Sequence, residues 1–439
     1  MEFGKHIGKG VWAFADKALP AIYGIGFIFL VIRVLPENEY GAFVIIQTIF
    51  TIVNALGFSL AHQPLTKFAA ETEENGSFIA VSLVLSFFYV VVTSALVLVF
   101  RGALVILLDP VGQSNLTHLF SYLPLLFLVS TYRSFGISLL QATYQVQKIF
   151  WIDAIYFIGT LVIVYIAQQF GRFYTASDLV LVIVAAQGLS SLVAVFMTRE
   201  LMAVKLVLHG ETFRKMWNFG KYTFGGNTFY TMFSQMDVFF VSSFMGILGV
   251  AVYNASKIFT RIFDMIAQVL QMFLIPYSSK TYTKDDNETM KTTAEKAICF
   301  STVVIIPFVL IMIFFPEQLL NIFYNGKYNH GAAIVRIFGF LGLIVPWNAV
   351  AVSYIIGIGK VKQGFYFGVV LVLVAVVLYG IFTPKYGAPG TTLGYVIALS
   401  ILTVVMVWFI KPIVPLNILN VLRRTQDVLV FVKNRFSSP

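Results

Sequence analysis

Residues 78–99 read FIAVSLVLSFFYVVVTSALVLV, a run of 22 residues without a charged side chain. The hydrocarbon core of a bilayer is about 30 Å thick, and an α-helix of about 20 apolar residues crosses it. The run is therefore long enough to span a membrane. It lacks the strict alternation of apolar and polar residues that marks a strand of a transmembrane barrel.

The rest of the chain repeats this pattern. Its 439 residues are 59% hydrophobic and 11% charged, with a mean hydropathy of +0.86, whereas a soluble domain carries roughly 25% charged residues. The fold class indicated is an all-α polytopic membrane protein, with too few residues outside the spans for a soluble catalytic domain. Twelve spans are predicted, with approximate limits 12–34, 41–60, 78–99, 118–141, 149–169, 178–197, 221–245, 249–275, 295–316, 333–357, 363–383 and 388–410.

The basic residues predict the orientation of these spans. With the N-terminus in the cytoplasm, 21 of the 30 Lys and Arg residues fall in inner segments and five in outer segments. Cytoplasmic loops carry such an excess of Lys and Arg, so both termini are expected in the cytoplasm. Most of the net charge of +10 is therefore explained by the orientation of the spans in the membrane. The charges that bear on function are those inside the spans.

A repeated tripeptide divides the spans into two sets of six. Phe3-Gly4-Lys5 opens the first set and Phe219-Gly220-Lys221 the second. Such internal repeats build transporters, in which the substrate site lies between the repeats. The predicted organisation is an N-terminal lobe at 1–198, a cytoplasmic linker at 199–220, a C-terminal lobe at 221–410, and a basic amphipathic cytoplasmic tail at 411–439.

Several short stretches carry a resemblance to a known family. They are Arg33-Val34-Leu35-Pro36, Glu39-Tyr40-Gly41-Ala42-Phe43, Val252-Tyr253-Asn254-Ala255-Ser256-Lys257, Phe323-Tyr324-Asn325-Gly326-Lys327-Tyr328 and Pro384-Lys385-Tyr386-Gly387-Ala388-Pro389-Gly390. In this order and spacing the chain resembles the polysaccharide (O-antigen type) flippases for lipid-linked oligosaccharides. These belong to the superfamily that also holds the multidrug and toxic compound exporters.

The resemblance implies a fold and a task. The fold would be two six-helix lobes in a V around a central cavity. The task would be alternating-access transport of an undecaprenyl-diphosphate-linked oligosaccharide from the inner to the outer leaflet of a bacterial cytoplasmic membrane. A polysaccharide polymerase and glycosyltransferases would be partners, as in the biosynthesis of lipopolysaccharide O-antigen. No cofactor is implied, and the protein would not be an enzyme.

The eighth predicted span carries the best candidates for binding such a cargo. Ionisable residues inside spans are costly and usually functional. Lys257, Arg261 and Asp264 follow one another at i,i+4 and i,i+3 spacing, which places them on one helical stripe. The stripe is expected to be a cationic patch for a diphosphate or an acidic sugar. The alternative is a structural Arg261–Asp264 pair between helices.

Asp237 lies at a depth similar to that of Lys257 if the seventh and eighth spans are antiparallel neighbours. It is either the partner of Lys257 in an ion pair or a carboxylate that binds H⁺ or Na⁺. Asp237 and Asp264 are the predicted ion-coupling residues.

Two further basic residues are candidate substrate ligands. Arg133 either snorkels from the fourth span to the headgroups or lines an inward-facing mouth. Lys17, beside Asp16, is either interfacial or part of the same mouth.

Two other classes of protein remain open. A drug or cation antiporter of the same fold would need an acidic site, yet the mid-span cations Arg133, Lys257 and Arg261 outnumber Asp237 and Asp264. A membrane polymerase or ligase would need catalytic groups in an outer loop, and the predicted outer loops are short. The single cysteine, Cys299, excludes an intramolecular disulfide. The five histidines show no ligand spacing, so no metal is expected.

Overall fold

The computed structural model describes residues 2–71, 75–110, 112, 115–202, 206–283 and 286–426, and within them no strand occurs. Lys205, Lys284, Lys433 and Arg435, which were counted with the inner face, lie outside these residues, as does the predicted tail beyond 426. The α-helices are α1 Glu2–Phe27, α2 Glu37–Gly57, α3 Gln63–Ala69, α4 Gly76–Leu108, α5 Leu116–Phe120, α6 Leu123–Ala142, α7 Val146–Gln169, α8 Ala176–Thr198, α9 Gly210–Lys257, α10 Arg261–Tyr282, α11 Asn287–Phe314, α12 Pro316–Tyr324, α13 Ala332–Gly339, α14 Leu341–Gly357, α15 Val361–Ile410 and α16 Ile418–Arg423.

Nine helical segments in the described part of the chain are long and apolar enough to cross a membrane. Two of these segments, Thr228–Tyr282 and Lys362–Ile410, are about twice the length that one crossing needs. A further crossing is a pair of helices, Asn329–Gly339 and Leu341–Gly357, which are bent by 41° where they meet. Helices satisfy their own backbone hydrogen bonds, as the bilayer interior requires.

The long helix α15 reverses direction at Gly387, where φ is 62°. A Cβ at Gly390 would lie 2.2 Å from the carbonyl oxygen of Phe382, eight residues earlier. In a straight helix those residues would stand about 12 Å apart along the axis. The hydroxyls of Thr383 and Thr391 also share a hydrogen bond of 2.9 Å. The helix is therefore a hairpin of two crossings, as the predicted spans 363–383 and 388–410 require.

Helix α9 reverses in the same way at Gly246, where φ is 67°. A Cβ at Gly249 would lie 3.6 Å from Cγ1 of Val241, eight residues earlier. Glycine suits both turns because it adopts positive φ without the steric cost of a Cβ. Counting each hairpin as two crossings and the bent pair as one, the described residues hold the twelve crossings that the sequence predicts.

The contacts divide the chain into two compact units. Unit 1 holds Met1–Ala251 and Phe323–Asn325, and unit 2 holds Val252–Ile322 and Gly326–Pro439. The seventh predicted span therefore packs within unit 1. The two units are defined by packing contacts, whereas the two lobes were predicted from an internal repeat. The lobe boundaries at 198 and 221 therefore remain a prediction.

The described residues of unit 1 include two apolar clusters. One joins α3, α4 and α6 through Leu65, Val81 and Phe135, and the other joins α6, α7 and α8 around Leu140 and Ile152. Each named side chain is at least nine-tenths buried. These clusters hold α6 between two groups of helices, which positions the polar side chains on it.

In unit 2, neighbouring helices pack closely where one of them carries a small residue. A Cβ at Gly342 in α14 would lie 2.3 Å from Val309 and 2.9 Å from Phe263. Membrane helices commonly use small residues where their backbones meet. The Tyr354 hydroxyl also donates to the carbonyl of Met290 at 2.8 Å, which ties α14 to α11.

The tail predicted at 411–439 is described as far as 426 and contains the short helix α16. Arg424, at its end, donates from Nε and Nη2 to Oε2 of Glu295 at 3.2 and 3.0 Å. The Glu295 side chain is only 1% exposed. This part of the tail is therefore anchored to α11 by an ion pair whose carboxylate is buried and whose arginine is partly exposed, a contact that an interfacial helix alone would not require.

Candidate functional site

Charged and polar side chains from α6, α7 and α8 meet in unit 1. Arg133 on α6 forms an ion pair with Asp153 on α7, and both side chains are about one-seventh exposed. Its Nε donates to the Ser190 hydroxyl on α8 at 3.1 Å. Its guanidinium carbon lies 4.6 Å from the ring centre of Tyr156. Arg133 lies nine residues before the end of α6 at Ala142, which is roughly 14 Å along the helix axis.

The Arg133 guanidinium lies within unit 1 among α6, α7 and α8, where it contacts Asp153 and Ser190. Whether it snorkels or lines an inward-facing mouth remains a prediction. Asp16 is buried and its charge acts on Asp153, while Lys17 contacts Asp16 at 3.6 Å and is 81% exposed. The two cations and two carboxylates balance in formal charge. Substrate binding by Arg133 and Lys17 remains a prediction, and it would require cargo to compete with these carboxylates.

The predicted cationic stripe in unit 2 is arranged differently. The predicted continuous helix is interrupted by a 3-10 turn at Ile258–Thr260. Within this turn the Thr260 hydroxyl donates to the carbonyl of Lys257 at 2.8 Å, a local bond that competes with the helical pattern. Arg261 begins α10 directly after the turn.

Arg261 and Asp264 are both exposed in unit 2, and Lys257 is half-buried. The charges of both Lys257 and Arg261 act on the Asp264 carboxylate. The Lys257 Nζ also lies 5.2 Å from the ring centre of Tyr395. Among the described residues, none of the salt bridges within 4.0 Å involves Arg261. The predicted Arg261–Asp264 structural pair is therefore not formed at salt-bridge distance.

Asp237 is fully buried in unit 1, and its Oδ1 accepts from the Val238 backbone amide at 2.9 Å. A buried carboxylate in a span is costly and requires partners. Its ion-coupling role remains a prediction. As for metals, the described residues contain no group of three or more His, Cys, Asp or Glu side chains able to hold an ion.

Sequence reasoning missed the residues that engage Arg133. Asp153, Tyr156 and Ser190 had not been identified, and Asp16 had been noted only beside Lys17. One signal was present for Asp153. It lies seven residues after the start of α7 at Val146, a depth near that of Arg133 on an adjacent antiparallel span.

Twelve membrane-crossing helical segments define a polytopic membrane protein, and both of its units carry charged side chains on these segments. A comparison with protein families identifies the family. Residues 30–333 match the family described as polysaccharide biosynthesis protein. The chain belongs to this family.

Two curated relatives are uncharacterized membrane proteins of Methanocaldococcus jannaschii. One is 24% identical over 220 residues, covering 49% of this chain and 43% of the relative. The other is 29% identical over 171 residues, covering 38% and 39%. The matched segments thus span less than half the length of either relative.

Solved structures show the same fold over nearly the whole chain. The lipid II flippase MurJ, in an inward closed conformation, is similar with a TM-score of 0.74 and 15% identity, covering 99% of this chain and 93% of that one. An inward-facing multidrug resistance transporter of the MATE family in the MOP superfamily has a TM-score of 0.73 and 16% identity, covering 91% and 98%. A MOP superfamily transporter from Pyrococcus furiosus, described as having a binding pocket of reverse polarity, has a TM-score of 0.64 and 15% identity, covering 91% and 93%. The fold is therefore that of the MOP transporters.

Proposed function

We propose that the protein is a flippase that moves an undecaprenyl-diphosphate-linked oligosaccharide from the inner to the outer leaflet by alternating access. Membership of the polysaccharide biosynthesis family supports a glycan cargo. The fold, which a lipid II flippase shares, supports a role in transport. A multidrug transporter has the same fold, so the fold alone does not identify the cargo. The choice of cargo therefore depends on the charges inside the spans.

Arg261 carries the proposal. It lies 15 residues after the Gly246 turn, roughly 22 Å along the helix axis, at a membrane depth where an unpaired cation is costly. Its side chain is exposed, and no described carboxylate lies within salt-bridge distance. An exposed guanidinium with no described carboxylate at salt-bridge distance is suited to binding a phosphate, because its planar array of donors binds two phosphate oxygens at once.

Lys257 adds a second positive charge near Asp264, so the stripe has a net positive charge. A diphosphate crossing the apolar layer needs such charges because no water solvates it there. We assign Arg261 and Lys257 to the diphosphate. Arg133 and Lys17 are assigned to the inner entrance, where cargo would first arrive.

Coupling is assigned to carboxylates. Asp264 lies within the field of Lys257 and Arg261. Binding of H⁺ or Na⁺ there would change the net charge of the stripe and therefore its affinity for an anion. Asp237 is the second candidate because it is fully buried, and a buried carboxylate gains most from neutralisation by a cation.

The same charges argue against the two alternative functions. A drug or cation antiporter needs a site of net negative charge, whereas the stripe is net positive and the Arg133 cluster is balanced. A polymerase or ligase is disfavoured by the fold, which solved transport proteins share. The location proposed is a bacterial cytoplasmic membrane with both termini inside, where glycosyltransferases and a polymerase would supply and consume the cargo.

The test replaces Arg261 in cells that depend on this protein for a surface polysaccharide. We expect Arg261→Ala to reduce polysaccharide export roughly ten- to a hundredfold, the range for losing a hydrogen bond to a charged group. Arg261→Lys should retain part of the activity because the charge remains. Arg172→Ala, which changes an exposed arginine in an outer loop, is the matched control and should export normally. Normal export by Arg261→Ala at equal protein level would refute the role of Arg261.

A further inference from the structure

Unit 1 contains a cavity that the proposed diphosphate site does not use. Its volume is about 370 Å³, within the range of about 300 to 1,000 Å³ that is usual for small-molecule sites. The residues that line it come from α2 and the turn after it, from α6 and from α9. They are Phe50, Thr51, Asn54, Ala55, Phe58, Ser59, Ser134 and Thr231.

The lining is uncharged and mixed: most of its exposed area is apolar, and five of the eight side chains end in a hydroxyl or an amide. Within the described chain, the Asn54 amide and the Ser134 hydroxyl have no hydrogen-bond partner, although both are half-buried. The Thr51 hydroxyl donates to the carbonyl of Gln47 at 2.7 Å, which leaves its oxygen able to accept. The cavity therefore offers neutral donors and acceptors to a ligand.

An aromatic ring completes the site. Phe58 is 37% exposed and begins a π-helical turn, Phe58–His62, directly after Gly57. Such turns are rare and often lie at functional sites, because the extra residue redirects the side chains that follow. Gly57 makes room for the ring of Tyr89, whose nearest atom would lie 2.5 Å from a Cβ there. The local backbone is thus fixed where Phe58 enters the cavity.

We propose that this cavity binds an uncharged pyranose ring of the translocated glycan. Phe58 packs on the apolar C–H face of the sugar, and Asn54 and Ser134 hydrogen-bond its hydroxyl groups. The inference rests on the proposed function for the source of the sugar, and it extends that function by separating a sugar subsite in unit 1 from the diphosphate residues in unit 2.

Other ligands fit this lining less well. A lipid tail would leave the amide and hydroxyl groups without partners, which costs free energy for each buried group. A phosphate or a uronate would enter a cavity whose lining has no cation. Arg133 precedes Ser134 on α6, but its guanidinium is engaged by Asp153 and Ser190. A neutral, hydroxyl-rich ring satisfies the polar groups without bringing an uncompensated charge.

The test uses the full-length protein with one reporter thiol in the cavity. Cys299 is replaced by Ser, and Ala55→Cys introduces the thiol. The rate of alkylation by a neutral maleimide is measured while methyl glycosides are added: neutral hexosides, N-acetylhexosaminides and hexuronides, with inorganic phosphate as a further probe. We expect at least one neutral glycoside to slow alkylation by about threefold or more in a saturable manner, and the hexuronides and phosphate to have no effect.

Two variants and one control assign the protection to the site. Asn54→Ala and Phe58→Ala should each weaken protection several-fold, and Phe58→Tyr, which keeps the ring, should preserve it. Phe87→Ala removes a phenylalanine that is 71% exposed on α4 of the same unit, and it should leave protection unchanged. Size-exclusion profiles establish that each variant is folded, and Phe58→Leu replaces Phe58→Ala if that variant is not.

The proposal is overturned if no neutral glycoside protects the thiol, if the charged probes protect equally, or if the folded Asn54 and Phe58 variants retain full protection. Arg261→Ala separates this result from the proposed function, because it should reduce export about ten- to a hundredfold and leave sugar protection intact. Protection in a protein that moves no lipid-linked glycan would refute the flippase and support the sugar subsite.

Discussion

The ion pair between Arg133 and Asp153 allows a quantitative prediction. Each side chain is about six-sevenths shielded from solvent. Removing one member of a buried pair leaves an uncompensated charge and costs about 3–5 kcal/mol. Asp153→Ala leaves Arg133 with the Ser190 hydroxyl and the Tyr156 ring. We therefore expect a loss near the lower limit, about 3 kcal/mol in the free energy of unfolding.

A double-mutant cycle measures this interaction. The cycle consists of Arg133→Met, Asp153→Leu and the two combined. The combination removes both charges and keeps apolar volume, which is often neutral or stabilising for buried pairs. Unfolding in detergent micelles, followed by tryptophan fluorescence, should give a coupling energy of about 2–3 kcal/mol. The control is Glu71→Ala, which breaks an ion pair with Lys215 whose side chains are 51% and 55% exposed. It should cost at most about 1 kcal/mol.

The reasoning is refuted if Asp153→Ala unfolds with the free energy of the wild type. It is also refuted if the double replacement is as unstable as Asp153→Ala. Either result would mean that Arg133 finds water or another partner at that depth, and the cluster would then not hold the three helices together.

Three further predictions concern other parts of the molecule. Arg424→Ala leaves the Glu295 carboxylate buried without its cation, so hydrogen exchange of the α16 amides should accelerate while α11 stays protected. Gly390→Ala should cost about 1–3 kcal/mol by overpacking against a backbone carbonyl. Gly380→Ala in the same helix meets nothing within 4 Å and should gain about 0.5–1 kcal/mol by thermal unfolding. Asp264→Asn should abolish the dependence of transport in vesicles on an imposed H⁺ or Na⁺ gradient, and unchanged dependence would exclude Asp264 as the coupling group.

The sequence was sufficient for the spans because hydropathy acts locally. The seventh predicted span, 221–245, ends one residue before the turn at Gly246. The twelfth, 388–410, begins one residue after the turn at Gly387. Positive φ at these glycines is a local requirement. A polar segment, residues 383–386, precedes Gly387, whereas Gly246 lies in an apolar stretch and is marked by glycine alone. The break between α13 and α14 was not predicted, because Phe340 at the bend does not interrupt the apolar pattern.

The site was less predictable because it depends on contacts between distant residues. Arg133 and Asp153 are 20 residues apart, and Arg424 and Glu295 are 129 residues apart. The composition of a single helix does not show which neighbour it faces. The π-helical turn that directs Phe58 into its cavity has no sequence signature of comparable strength to a hydrophobic run, so neither the cavity nor the phenylalanine at it was identified.

The central claim is that the cargo is an anionic lipid-linked glycan. The most direct measurement reconstitutes the wild-type protein in vesicles with a fluorescent undecaprenyl-diphosphate-linked oligosaccharide and follows its exposure to a membrane-impermeant oxidant. An organic cation is tested in parallel vesicles. We expect the protein to accelerate movement of the glycan lipid above the rate in protein-free vesicles and to leave the cation unmoved. Transport of the cation, with no acceleration for the glycan lipid, would contradict the claim.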